Sequence, residues 1–218
     1  MRFFVDTANL GQIEEAMEMG IIDGVTTNPS LMAKEGIKGK RKVLNHYKAI
    51  AELVEGRDVS AEVLATDFEG MIKEGEKYAA LAENIVVKVP MIKEGLKAIN
   101  YFYMAGIRTN CTLIFSAGQA LLAANAGADF VSPFIGRIDD IGWDGLSLIE
   151  EIADLFTTHE IPTEVLAASI RNPLHIVKSA MLGADVATCP LSAIESLLYH
   201  PLTDKGLAKF MADAKKMG

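Results

Sequence analysis

The segment Ile85-Val86-Val87-Lys88-Val89-Pro90 sets a single lysine among apolar residues. A charged ammonium is costly in such surroundings unless it is paired, and desolvation works against its charged form. A neutral amine held this way adds to a ketone carbonyl and forms a Schiff base. The alternative use of a lysine near a strand end is to lay its stem on apolar surface and send the ammonium to solvent. The polar residues elsewhere in the chain bear on that choice.

Polar residues recur at a spacing of two inside segments that are otherwise apolar. Asp6 closes one such segment. Thr26 and Asn28, Ser60 and Glu62, and Asn110 and Thr112 are pairs at i and i+2, Ser132 has the apolar Phe134 at the same spacing, and Ser169 and Arg171 repeat the spacing after a further segment. Residues two apart on a strand share one face. Each also has a structural use. Asp6 can cap a helix, Asn28 before Pro29 suits a turn, and Glu62 can pair with Lys88 as a buried ion pair. Asn110 and Thr112 can satisfy each other or nearby backbone, Ser169 and Arg171 can begin a helix, and Arg137 can pair with Asp139 at the surface. Their common phase, at the C-terminal ends of successive strands, points instead to one shared cavity.

The elements that must place these residues alternate along the chain. Strands are predicted over 2–7, 24–28, 58–64, 85–90, 108–115, 129–135, 162–169 and 185–190. Helices are predicted over 10–19 and 40–55, with one helical turn at 30–35. Further helices run from a Thr66-x-x-Glu69 capping box to about residue 83, over 93–104, and from Ser116-x-x-Gln119 to near Gly127. Residues 136–145 read as a loop and 146–158 as a helix. Asn172-Pro173 is an N-cap followed by proline at the first helical position, opening a helix to Met181. Ser192-x-x-Glu195 caps the next helix, and a last Lys-rich helix begins at Thr203-Asp204. Near-continuous apolar strands belong to a parallel sheet covered on both faces. Eight strand–helix units in a row predict an α/β fold, a single (β/α)8 TIM barrel with an additional C-terminal helix, spanning residues 1–218 as one catalytic domain. A doubly wound open sheet is the runner-up. Against it, neither a G-x-G-x-x-G after the first strand nor a P-loop occurs in the sequence.

At 218 residues and 50% hydrophobic, the chain can bury one sizeable core. The formal net charge is −8 and no basic tract stands out, which argues against nucleic acid and anionic membranes as partners. The N-terminus turns acidic at Asp6 and does not read as a signal peptide, and no apolar run is long enough to span a bilayer. The two cysteines, Cys111 and Cys189, fall inside predicted strands, which favours buried thiols and a cytoplasmic setting.

With these residues in view, the chain resembles the transaldolase family, in its short-chain branch, nearly end to end. The resemblance is carried by Val5-Asp6-Thr7-Ala8-Asn9, Gly24-Val25-Thr26-Thr27-Asn28-Pro29-Ser30-Leu31, Val86-Val87-Lys88-Val89-Pro90, Thr109-Asn110-Cys111-Thr112-Leu113-Ile114-Phe115, Ser132-Pro133-Phe134-Ile135-Gly136-Arg137-Ile138-Asp139 and Ala167-Ala168-Ser169-Ile170-Arg171. It implies a class I mechanism without metal or cofactor. Lys88 would attack C2 of a ketose phosphate. Asp6 would take the C4 hydroxyl proton. Glu62 and Thr112 would hold the water that moves protons. Thr26, Asn28, Asn110, Ser132 and Phe134 would line the donor site, and Arg137, Ser169 and Arg171 would bind phosphate.

The resemblance also bears on the outcome of the reaction. Fructose-6-phosphate aldolase, a close relative that releases free dihydroxyacetone, has glutamine in place of Glu62 and tyrosine in place of Phe134, so transfer is expected here over simple cleavage. Outside this family, a sugar-phosphate isomerase using Asp6 and Glu62 without a Schiff base, and a catalytically silent barrel, stay open. Short-chain relatives form pentamers, often stacked as decamers. The resemblance therefore implies a homo-oligomer, with the Lys-rich C-terminal helix either reaching a neighbour or closing its own barrel.

Overall fold

The computed structural model describes residues 1–217, and Gly218 lies outside the described residues. The chain alternates β1 (Arg2–Asp6), α1 (Leu10–Glu18), β2 (Gly24–Thr26), α2 (Pro29–Lys34), α3 (Lys40–Leu53), β3 (Asp58–Glu62) and α4 (Phe68–Ala79). It continues through β4 (Ile85–Pro90), α5 (Lys93–Met104), β5 (Thr109–Ile114), α6 (Ala117–Asn125), β6 (Phe130–Pro133), α7 (Ile135–Asp139) and α8 (Gly145–Thr158). It closes with β7 (Glu164–Ala167), α9 (Pro173–Met181), β8 (Val186–Cys189), α10 (Leu191–Glu195), a 3-10 turn at Ser196–Leu198, and α11 (Pro201–Ala214). Every strand pairs in parallel with its sequence neighbours, and β8 pairs with β1, so the eight strands close into the expected (β/α)8 barrel. The C-terminal helix is present as α11. No helix among the described residues is long and apolar enough to cross a membrane.

The period of two in the strands sorts side chains into two cores. Outward-facing Val5, Val25, Val59, Ala61, Val87, Val89, Cys111, Val131, Val165 and Ala187 pack with the helices in the larger cluster. Inward-facing Phe4, Val86, Phe130, Leu166, Ala168 and Val186 form a separate plug inside the barrel. Below the plug, at the N-terminal end, Arg2 pairs with Asp58 and Glu164, and Arg108 with Asp58. Arg2 also lies 5.6 Å from the ring centroids of Phe4 and Phe130. Above the plug the interior turns polar. The barrel is thus filled in layers drawn from alternate strands, as such barrels are, and the apolar layer separates two polar ends.

Local differences from the sequence expectations have local causes. Ile135, expected to end the sixth strand, and residues 136–139, expected in a loop, form α7, which lacks a side-chain cap and so left no capping signature. The helix after β3 is capped by Asp67, which accepts from Gly70 N, rather than by Thr66. Ser192 lies inside α10, which is entered from an extended Pro190. The last helix starts at Pro201, with His200 as its cap, rather than at Thr203. In β5 the register shifts between Cys111 and Ile114, where Leu113 takes φ 64°. This bulge turns Ile114 out into the helix-facing core while Asn110 and Thr112 remain on one face.

Gly24 is the close approach that lets Phe4 fill the barrel. A Cβ there would lie 2.7 Å from the Phe4 ring and 2.7 Å from the Asp58 carbonyl oxygen. Gly24→Ala is therefore expected to destabilise the fold by about 1–3 kcal/mol through overpacking, read by calorimetry as a fall in Tm of several degrees. An unchanged Tm would contradict this account of the plug.

Candidate active site

The C-terminal mouth of the barrel gathers the sequence-predicted residues into two groups. The first surrounds Lys88. Its side chain comes from β4 with the residue only 5% exposed, and its Nζ lies 3.1 Å from Glu62 on β3. The register pairs Glu62 with Lys88 and Lys88 with Asn110, so the three arise from adjacent strands at one level. The buried ion pair considered from the sequence does form. It sits within the electrostatic reach of Asp6, whose carboxyl is influenced by both partners. A free lysine snorkelling to solvent is not what the barrel holds. Glu62 is fixed from the far side as well, its backbone N–H donating to the buried Tyr47 hydroxyl at 3.0 Å.

Asp6 ends β1 and accepts a hydrogen bond from Thr26 Oγ1 at 2.8 Å. Thr26 Oγ1 is also 2.5 Å from Thr188 Oγ1 on β8. A hydroxyl has one hydrogen to give, so Thr188 donates to Thr26 and Thr26 to Asp6. Burial pushes the Asp6 carboxyl above its ordinary range. The Lys88 charge and the Thr26 hydrogen bond pull it back, and the Glu62 charge pushes it further up. Asp6 was expected as a possible helix cap, but Asn9 caps α1, accepting from Gln12 N. Thr188 was not singled out from the sequence. Its signal in the sequence is a lone hydroxyl in an apolar strand, with Val186 and Pro190 two residues to either side.

Across the mouth, Asn110 Nδ2 donates to Ser60 Oγ at 3.1 Å, and Asn110 Oδ1 accepts from Ser132 Oγ at 2.7 Å. This network fixes the amide orientation and leaves one Asn110 N–H and the Ser60 hydrogen for a ligand. Thr112 Oγ1 is buried without a hydrogen-bond partner in the protein, which suits it to hold a small polar ligand. Asn28 stands apart from this group. Its side-chain oxygen caps α2 by accepting from Leu31 N at 3.0 Å, so only its amide N–H groups remain for substrate. Cys111 and Cys189 are buried free thiols that burial pushes up to about 12, which keeps them out of nucleophilic chemistry near neutral pH.

The second group lies on the β6 and β7 side. Phe134 packs edge-on against Phe115, and the Arg137 guanidinium sits 5.1 Å from the Phe134 ring centroid. Ser169 adopts φ 58°, a left-handed backbone that is strained for a residue with a Cβ. Its carbonyl accepts from Gly136 N at 3.1 Å. A Cβ on Gly136 would lie 2.1 Å from that same carbonyl oxygen and 2.6 Å from Arg171 Nε. The glycine therefore lets the Arg171 side chain cross close over α7, where its guanidinium donates to Asp140 at 2.7 Å. Asp139 pairs with His175 Nε2 at 3.1 Å, a partner not anticipated from the sequence, where Arg137 was the candidate. Both arginines are exposed at the rim, which places two planar cations where an anion can approach. Among the described residues, no group of three or more His, Cys, Asp and Glu side chains is placed to hold a metal ion.

Comparison with known proteins follows the same lines. Residues 3–218 match the family model described as transaldolase/fructose-6-phosphate aldolase. A probable transaldolase of Cytophaga hutchinsonii is 64% identical over 217 residues, covering 100% of this chain and 99% of that protein. One of Phocaeicola vulgatus is 65% identical with the same coverage. Among solved structures, a thiamine phosphate pyrophosphorylase from Pyrococcus furiosus aligns with a TM-score of 0.61 at 16% identity, over 87% of this chain and 85% of that one. At that identity the likeness speaks to the barrel alone.

The raised Asp6 carboxyl has a consequence for stability. In the unfolded chain it titrates near 3.8, and in the folded protein higher. The folded state therefore holds the proton over that window, and stability falls as pH rises through it. Asp6→Asn removes this titration. Its Tm relative to the wild type is expected to increase as pH rises from about 4. A difference that stays constant or shrinks with pH would contradict the assignment of burial as the dominant influence.

Proposed function

The chain belongs to the transaldolase/fructose-6-phosphate aldolase family, and on that premise we propose that it is a transaldolase moving a dihydroxyacetone unit between sugar phosphates through a Schiff base on Lys88. The observation that carries this reading is the buried Lys88 amine, paired with Glu62 and facing the carboxyl of Asp6 across the mouth. The net reaction converts sedoheptulose 7-phosphate and glyceraldehyde 3-phosphate to erythrose 4-phosphate and fructose 6-phosphate, a step of the pentose phosphate pathway in a cytoplasmic setting.

Lys88 first gives up a proton, for which the adjacent Glu62 carboxylate is the nearest base. Its lone pair adds to the C2 carbonyl of the ketose. Loss of the C2 oxygen as water leaves an iminium. Glu62 supplies protons for that departure, and the unpartnered Thr112 hydroxyl holds the water. Asp6 then removes the C4 hydroxyl proton. As C4 becomes an aldehyde, the C3–C4 bonding electrons flow into the iminium and leave an enamine on Lys88. The aldose phosphate departs, a second aldose phosphate takes its place, and the enamine carbon attacks its aldehyde. Asp6 returns the proton to the new hydroxyl, and water hydrolyses the iminium.

A carboxyl lifted above its ordinary range works in both directions, because its proton affinity lies closer to the working pH. Asn110, Ser132 and the free amide N–H groups of Asn28 bind the donor hydroxyls, while Thr26 orients Asp6. Arg137, Ser169 and Arg171 bind the phosphate. Phe134 keeps a hydroxyl away from the enamine, which favours transfer over protonation and release. Residues 1–218 act as one catalytic domain. A homo-oligomer, pentamer or decamer, accounts for α11, which buries none of its residues on its own barrel and exposes Leu202, Leu207, Phe210 and Met211.

Fructose 6-phosphate assayed with and without erythrose 4-phosphate tests the reading. Glyceraldehyde 3-phosphate and sedoheptulose 7-phosphate are expected only when the acceptor is present, and Glu62→Gln is expected to slow turnover by about 10²- to 10⁴-fold. Free dihydroxyacetone accumulating without acceptor would make the protein an aldolase and overturn the role given to Phe134.

A further inference from the structure

One largely buried imidazole takes no part in the chemistry at Lys88. His175 lies on the first turn of α9, and its side chain is only 12% exposed. Its Nδ1 accepts from the backbone N–H of Arg171 at 3.3 Å. The hydrogen of the ring therefore sits on Nε2, which faces Asp139 Oδ2 at 3.1 Å. The other oxygen of Asp139 accepts from Gly145 N at 2.9 Å, at the start of α8. One imidazole thus ties the backbone of Arg171 on the β7 side to α7 and α8 on the β6 side. The cap of α9 is independent of it, since Asn172 Oδ1 accepts from the backbone N–H of His175.

The segment held in this way is a strained one. Ser169 sits at φ 58°, and Gly136 has no room for a Cβ beside Arg171. Arg171 has two anchors besides its chain neighbours: its guanidinium on exposed Asp140, and its backbone on His175. The Asp140 bond must yield for the guanidinium to turn to an anion. The backbone anchor is the one that can persist through binding.

We propose that His175 is a positioning residue for anion recognition: it holds the Ser169–Arg171 turn so that Ser169 and the guanidinium of Arg171, with Arg137 on the neighbouring α7, converge on the phosphate of the substrate. The proposal deepens the transaldolase reading and rests on it. Its signature is selective. Loss of the clamp weakens the hold on the phosphate end of the substrate and leaves the chemistry at Lys88 as it was.

The test compares wild type, His175→Leu, His175→Asn and His175→Gln. Asparagine offers an oxygen near the place of Nδ1 and keeps the tie to Arg171. Glutamine reaches toward Asp139 and gives that tie up. Each is assayed for fructose 6-phosphate and for fructose as donor, and for competitive inhibition by inorganic phosphate. His175→Leu is expected to raise both the KM for fructose 6-phosphate and the inhibition constant for phosphate by about three- to tenfold, the worth of one neutral hydrogen bond. Its kcat, and its kcat/KM for fructose, are expected to be unchanged, and His175→Asn is expected to restore the wild-type values. Equal losses on fructose and fructose 6-phosphate, or no loss on either, would overturn the proposal. If His175→Leu does not fold, the other two variants decide: Asn close to wild type and Gln impaired supports the clamp, and the reverse order overturns it. A wild-type enzyme that turns over its donors but prefers neither the phosphorylated one nor inorganic phosphate would overturn the phosphate reading itself, and no substrate turnover at all would overturn the proposed function.

Discussion

Two opposite charges, the Lys88 ammonium and the Glu62 carboxylate, lie 3.1 Å apart inside a closed barrel, with a third ionisable group, Asp6, facing them. Taking such ions out of water costs several kcal/mol each in practice, and their mutual attraction offsets only part of that. Two carboxyls share one lysine here, so one of them is left over. Asp6 holds its proton more tightly than usual, chiefly because it is buried and to a smaller extent because of the Glu62 charge. The site is therefore a local cost to the fold, and the rest of the molecule is arranged to bear it. The larger core between strands and helices supplies the apolar burial. The plug of Phe4, Val86, Phe130, Leu166 and Val186 closes the barrel beneath the charges and limits the approach of water from below.

The same barrel carries polarity at both ends for different purposes. At the N-terminal end Arg2, Asp58, Arg108 and Glu164 pair among themselves, so their charges are largely spoken for. At the C-terminal mouth the polar groups are only partly satisfied. Asn110 keeps a free N–H, Thr112 has no partner, and Arg137 stacks on Phe134 with its rim face open. Left-handed backbone at residues with a Cβ occurs at this end at Leu113 in the β5 bulge and at Ser169 after β7, and at the other end in the turns that carry Glu55 and Glu160 into β3 and β7. Unsatisfied polar groups that converge on one opening of a well-packed scaffold are what a binding site requires.

Much of this was legible in the sequence because a strand has a strict period. A polar residue every second position, in strands that should be apolar, marked Asp6, Thr26, Glu62, Lys88, Asn110, Thr112 and Ser132 before their neighbours in space were known. The family resemblance then attached roles to them. What stayed hidden depended on contacts distant in sequence or on elements without a local signature. The helix α7 begins with no cap and a glycine at its second position, so residues 136–145 read as loop. Asn28 was legible as a turn residue and as a ligand, and its oxygen turned out to serve the helix. Thr188 carried a single hydroxyl with no polar companion two residues away in its strand. His175 was unremarkable in sequence, since its meaning lies in Asp139, which comes from a different strand–helix unit.

The central claim is that the buried amine of Lys88 is the nucleophile. It is tested most directly by adding borohydride to the protein in the presence of fructose 6-phosphate and locating any covalent adduct by peptide mass spectrometry. The account predicts a substrate-dependent mass gain on the peptide containing Lys88, absent in Lys88→Arg. Turnover of the sugar phosphate with no adduct at Lys88 would contradict it and would favour proton-transfer chemistry at Asp6 and Glu62 in the same barrel.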